Sequence, residues 1–266
     1  RRSKFASSPG SSVSSAHETD VTSASSRDGL AESALVRITP ALLSIPSGEF
    51  TMGSMAGQAN EQPVHRVHVD EFRLATAPVT RAAYTAFVQS TGHTPPDSWN
   101  DPRFVDPEQP VVAVTWFDAV TYCAWVSQQL GLTLRLPTEA EREKAARGGA
   151  EGLDYPWGND LPHWMDPHHR GDNIERPDAV AQDPANDYGL HNMGDLVHEW
   201  CSDWYVADYY ADGPVTNPRG PDDGVRRASR GGSWRHAIKV TRCAARSSIL
   251  PDRQLTDYGF RVAADA

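Results

Sequence analysis

From Leu153 to Asp265 the chain shows no long helical or strand periodicity, yet turn signals crowd it. They are Pro156-Trp157-Gly158-Asn159, Asn186-Asp187-Tyr188-Gly189, Asn217-Pro218, Asp222-Asp223-Gly224 and Gly231-Gly232. A segment of that length without regular ladders needs rigidity from another source, and aromatic packing and bound cations are the candidates. The composition agrees: 8 Trp, 20 Gly and 20 Pro in 266 residues suit short elements joined by long loops. The length suffices for one domain with a substantial core, and no internal repeat is visible.

The first half carries clearer local signals. Residues 41–55 read as a strand, a Pro-Ser-Gly turn and a second strand, and Val64 to Leu74 as a third strand with Val67 and Val69 on one face. Thr80 caps a helix with Ala83, Tyr84, Phe87 and Val88 on one stripe and Gly92 past its end. Thr115 opens a second helix, with Asp118 in the capping-box position and Gly131 closing it. A full capping box, Thr138-Glu139-Ala140-Glu141, opens a third that closes at Gly148-Gly149. Residues 1–36 are poor in large apolar groups and are expected to form a disordered tail ahead of a folded domain over 37–266.

A formal net charge of -10 argues against nucleic acid or an anionic membrane as the main partner. No run approaches the ~18–20 apolar residues of a membrane span. Arg1-Arg2-Ser3-Lys4-Phe5 is faintly like an export signal, but no apolar stretch follows it, so cytoplasmic residence is favoured over export. The three cysteines, Cys123, Cys201 and Cys243, are odd in number and widely spaced, which argues against a thiolate zinc site. No G-x-S-x-G, P-loop, H-E-x-x-H or G-x-G-x-x-G motif occurs.

A set of segments in fixed order resembles the formylglycine-generating (sulfatase-modifying-factor) family. It comprises Ile45-Pro46-Ser47-Gly48-Glu49-Phe50-Thr51-Met52-Gly53-Ser54, Glu61-Gln62-Pro63-Val64-His65, Pro78-Val79-Thr80 and Val114-Thr115-Trp116. Arg135-Leu136-Pro137-Thr138-Glu139-Ala140-Glu141, Pro156-Trp157-Gly158, Tyr188-Gly189-Leu190 to Trp200, Arg230-Gly231-Gly232-Ser233-Trp234 and Tyr258-Gly259-Phe260-Arg261 complete it. The resemblance implies a single α+β domain of C-type-lectin-like ancestry, low in regular structure and often braced by calcium. The family includes oxidases that turn a sulfatase cysteine into formylglycine, ergothioneine sulfoxide synthases, a pyoverdine-maturation enzyme and members without known catalysis, so the fold alone does not fix the activity.

The resemblance also exposes a departure. The oxidases hold copper(I) on two cysteines, yet the corresponding segment here, Trp234 to Arg242, contains none. His236 falls near one missing thiol, and Cys123 and Cys243 match structural positions whose usual partners are Ala146 and Val262. Formylglycine formation by the thiol mechanism is therefore not expected. His198 stands where many relatives have a cleft Trp. The expectation is a cleft near Ser233, Trp234, His236 and His198, in which two imidazoles and a carboxylate from Asp203 or Asp257 hold iron or copper. Arg242 and Arg246 keep the family pattern and are expected to tie loops to carboxylates such as Asp257.

By the same resemblance, Asn192, Asp195, the Val197 carbonyl and Glu199 form a calcium loop, the alternative being Glu199 solvated or paired to an arginine. A second cation site would use Asn173 and the Ile174 carbonyl with Asp183 or Asp187. Glu141-Arg142-Glu143-Lys144 replaces the family's Glu-Trp-Glu-Tyr, so a buried face there must be solvated or ion-paired. Two functions stay open: an oxygen-using metal-dependent oxidoreductase acting on a peptide or small molecule, and a silent module binding a peptide, glycan or protein.

Overall fold

The computed structural model describes residues 32–33, 35–161, 175–236 and 238–266. The architecture is α+β, in one unit of short elements. Residues 35–38 are helical and Ile38 is buried. Strands β1 (Leu42–Ile45) and β2 (Gly48–Met52) flank the Pro-Ser turn as expected. The single strand expected over Val64 to Leu74 is two, β3 (His65–Val69) and β4 (Phe72–Ala75). Asp70 and Glu71 break it, and the halves join different sheets: β3 pairs with β2, while β4 pairs with β1 and with β10 (Ala263–Asp265).

Helix α1 (Arg81–Thr91) starts where the Thr80 hydroxyl accepts the Ala83 N–H, and it stops at Gly92, whose φ of 70° suits a residue without Cβ. Helix α2 (Trp116–Leu130) opens on a reciprocal capping box between Thr115 and Asp118 and ends at Gly131. β5 (Leu134–Arg135) completes a sheet of order β1-β4-β10-β5. Between the two helices and this sheet lies an aromatic core. Tyr84 stacks on Tyr122 at 5.8 Å between ring centroids, and Phe87 and Phe260 meet Tyr122 edge-on at 5.6 and 5.3 Å.

Helix α3 (Glu139–Ala146) is built differently. All eight of its residues are buried, including Glu139, Glu141, Arg142, Glu143 and Lys144. The alternatives left by the sequence resolve in favour of ion pairing. Glu139 accepts from Arg230 (Nε, 3.0 Å) and Arg246 (Nε, 2.8 Å), and Glu143 from Arg147 (2.7 Å) and Arg230 (2.9 Å). The Lys144 ammonium donates to the carbonyls of Pro46, Gly48 and Val69 at 2.6, 2.9 and 3.1 Å, using all three of its protons. Burial opposes ionisation of Glu139, yet Arg246 and Arg230 together hold its carboxyl below the usual range.

The loop-rich second half supplies a further sheet that its sequence pattern did not announce. It consists of β6 (His198–Trp204), β7 (Arg227–Arg230), β8 (Arg246–Ile249) and β9 (Tyr258–Gly259), in the order β8-β7-β6-β9, with β6 and β9 parallel. A one-turn helix, α4 (Tyr209–Asp212), lies between β6 and β7. Among the described residues no helix is long and apolar enough to cross a membrane.

Candidate functional site

The first residue of β6 faces a cleft of about 400 Å³, whose wall includes His198, Tyr205, Gly231, His236 and Lys239. Trp200, two residues on and on the same face of the strand, lies in the core, where its indole donates to the Val114 carbonyl at 2.9 Å. His198 is 4% exposed. Its backbone N–H donates to the Asp257 carbonyl at 2.8 Å, because β6 and β9 run side by side in parallel register. A turn after Ser233 returns His236 to the same point, with its N–H donating to the Ser233 carbonyl at 3.1 Å.

These two segments bring three donors together. His198 Nε2 lies 2.8 Å from His236 Nδ1, and His236 Nε2 lies 3.4 Å from Asp257 Oδ2. One ligand atom from each of His198, His236 and Asp257 falls within 4.8 Å of the others. A metal held at about 2.0–2.1 Å by two adjacent nitrogens keeps them about 3 Å apart, close to the spacing found here. Burial, reinforced by the neighbouring His236, pushes the His198 imidazole down to about 3, so at neutral pH it is uncharged. The uncharged ring is the form that ligates a metal. Two imidazoles and one carboxylate would be a donor set for iron or copper. The same three groups form a path for moving a proton.

The expected carboxylate was Asp203 or Asp257, and the geometry selects Asp257. Asp203 lies instead against α3, where its Oδ2 accepts the Glu139 N–H at 3.0 Å; burial and the Glu139 charge push it up to about 7. Spacing could not distinguish the two aspartates, since Asp257 reaches His236 only through the parallel β6–β9 pairing. Ser233 and Trp234 do not line the cleft. Ser233 is fully buried, and its hydroxyl has no partner among the described residues. Trp234 packs with Phe104, Val112 and Val197, and its indole donates to the Thr256 carbonyl at 3.3 Å. Both support the turn from beneath. Arg242 and Arg246 do tie loops, but to Glu61 and Glu139 rather than to Asp257.

All three cysteines are buried and free, in the interior rather than on the cleft wall. Burial pushes the thiols of Cys123 and Cys243 up to about 12 and Cys201 well above its ordinary value, so none is a thiolate at neutral pH.

The expected calcium loop does not fit the ion. Glu199 is fully buried, and both its oxygens are taken by two guanidinium groups, those of Arg142 and Arg261. Asn192 Oδ1 accepts the Ala181 N–H at 2.8 Å, and its amide nitrogen faces Asp195 Oδ1 at 3.4 Å. The Val197 carbonyl lies near Gly231, 3.6 Å from where a Cβ would stand. A calcium ion needs six to eight free oxygens, and here the only carboxylate of Glu199 already serves two cations. The second expected site, Asn173 and Ile174, lies outside the described residues.

The arrangement of capped helices, three small sheets and a cleft at the start of β6 defines a family. The sulfatase-modifying factor enzyme 1-like domain matches residues 28–266, and the chain belongs to this formylglycine-generating-enzyme family. It is 34% identical to the formylglycine-generating enzyme of Streptomyces coelicolor, over 86% of this chain and 91% of that protein. It is also 36% identical to the serine/threonine-protein kinase pkn1 of Chlamydia pneumoniae, over 82% of this chain; the match spans only 37% of the kinase's length. Among solved structures it resembles PvdO from Pseudomonas aeruginosa, with a TM-score of 0.74 and 26% identity over 85% of this chain and 94% of that one.

Proposed function

We propose that the chain is a metal- and oxygen-dependent oxidoreductase that acts on a peptide or small-molecule substrate with nitrogen and oxygen donors in place of a cysteine pair. The observation that carries this reading is the meeting of His198, His236 and Asp257 at an open cleft. Bound iron or copper would supply electron transfer between substrate and oxygen. His198 would fix one ligand position from the sheet. His236, 38% exposed at its side chain, would adjust to close the site, and Asp257 would supply the carboxylate donor.

The test is iron and copper analysis of the purified protein beside a His198→Ala/His236→Ala double variant. About one equivalent in the wild type and loss of it in the double variant is the expected result. Equal metal content in both removes the proposal.

A second reading, a silent module that binds a peptide, glycan or protein, is favoured by the match to a segment of the larger Chlamydia kinase. Oxygen uptake with candidate peptides separates the two, because only the oxidoreductase consumes oxygen.

A further inference from the structure

Glu199 sits at 0% exposure between two arginines. Arg142 Nε and Nη2 donate to its two oxygens at 2.8 and 3.1 Å, and Arg261 Nε and Nη2 at 2.7 and 2.8 Å. Arg261 is also held by the carbonyls of Ala75 and His191 at 3.0 and 2.8 Å, which bind it to the neighbouring sheet. Arg142 comes from α3, and its Nη2 also donates to the Met193 carbonyl at 2.9 Å.

The place of the Arg142 head is unusual for a side chain. A Cβ on Gly231 would lie 3.2 Å from Arg142 Nη2, 3.2 Å from the Met193 carbonyl oxygen and 3.6 Å from that of Val197. One loop carbonyl, that of Met193, and the Glu199 carboxylate therefore gather around a single positive group, as oxygens gather around a metal ion. Gly231 leaves room for this, and its φ of 79° favours glycine. A guanidinium differs from an ion in carrying directed donors: its flat fork matches a carboxylate bidentately and needs no dehydrated ligand cage. A divalent ion brought to Glu199 would sit beside two cations in a buried place, where like charges repel strongly.

We propose that Arg142 is a built-in cation for the 192–199 loop, so that this chain holds the start of β6 without calcium. The consequence reaches the cleft because Glu199 is the neighbour of His198, and Arg142 thereby anchors the strand that presents that imidazole. The proposal does not depend on the oxidoreductase reading, since it concerns a hard ion at a different set of atoms.

The test uses the intact chain. Wild-type protein dialysed against EGTA should hold no stoichiometric calcium by mass spectrometry, and its melting temperature should be the same in calcium and in EGTA. Retained calcium near one per chain, released with a fall in melting temperature of about 5 °C or more, would overturn the proposal. Arg142→Ala removes the cation and opens its space. It should melt lower than the wild type in EGTA and recover by several degrees in millimolar calcium. If this variant folds only with calcium present, soluble yield with and without the ion reads the same preference. A variant indifferent to calcium reduces Arg142 to an ordinary ion pair and also overturns the proposal.

Discussion

The two halves of the interior solve the same burial problem by opposite means. Around α1 and α2 the contents are Tyr84, Phe87, Tyr122, Trp200 and Phe260, and the forces are area removed from water and ring-edge contacts. Around α3 the alanines Ala140, Ala145 and Ala146 join an apolar cluster with Ile45, Phe72 and Leu74, but five charged side chains of the same helix are buried as well, closed by Arg230, Arg246, Arg261 and Glu199. Apolar packing is forgiving, because a slightly smaller side chain loses contacts in proportion to its size. An ion-paired interior is not, because losing one member leaves its partners charged and dry. The α3 region therefore fixes which loops meet, and the cleft is built on those loops.

The largest effect expected from breaking this contrast comes from Arg230→Met, which leaves Glu139 with Arg246 alone and Glu143 with Arg147 alone. It should cost about 3–5 kcal/mol at neutral pH. Glu139 is held below its ordinary range in the fold, so its contribution is present above the unfolded value and lost as pH falls through the folded one. The cost should therefore shrink in urea melts carried below pH 4.5, toward the folded value. A cost that is flat with pH contradicts the ionic account.

Asp203→Asn should act next, and in the opposite direction. Asp203 is pushed up to about 7 by burial first and the Glu139 charge second. A raised acid contributes stability below its unfolded value, near pH 4, and loses it as pH climbs through 7. The Asn variant should match the wild type near pH 4 and exceed it by on the order of 2–4 kcal/mol at pH 8. Parallel pH profiles would show that the Asp203 carboxyl is not pushed up in the fold.

The smallest effect belongs to the aromatic side. Phe87→Leu should cost about 1–1.5 kcal/mol, with the same value at pH 5 and pH 8. A pH-dependent loss there would erase the distinction between the two regions.

The sequence revealed local signals and concealed tertiary ones. Thr80, Thr115 and Thr138 with Gly92 and Gly131 mark helix ends by chemistry that acts within four residues, and each stands where it was read. The break at Asp70 and Glu71 was missed because the valines alternate evenly on the near side and the sheet change is set by distant partners. Arg142 gave no hint of its target, since its partner Glu199 lies 57 residues along the chain. The imidazole pair could be suspected from the departures at His198 and His236, but choosing Asp257 over Asp203 required the β6–β9 pairing. Ser233 and Trp234 were expected in the cleft because they belong to a motif beside it; the tight turn directs both inward instead.

The most direct test of the central claim is anomalous diffraction from crystals of the protein grown with iron or copper, collected at the absorption edge of the metal. The account places one anomalous peak between His198 Nε2, His236 and the Asp257 carboxylate. A peak confined to other residues, or none at that triad with the metal in excess, contradicts it.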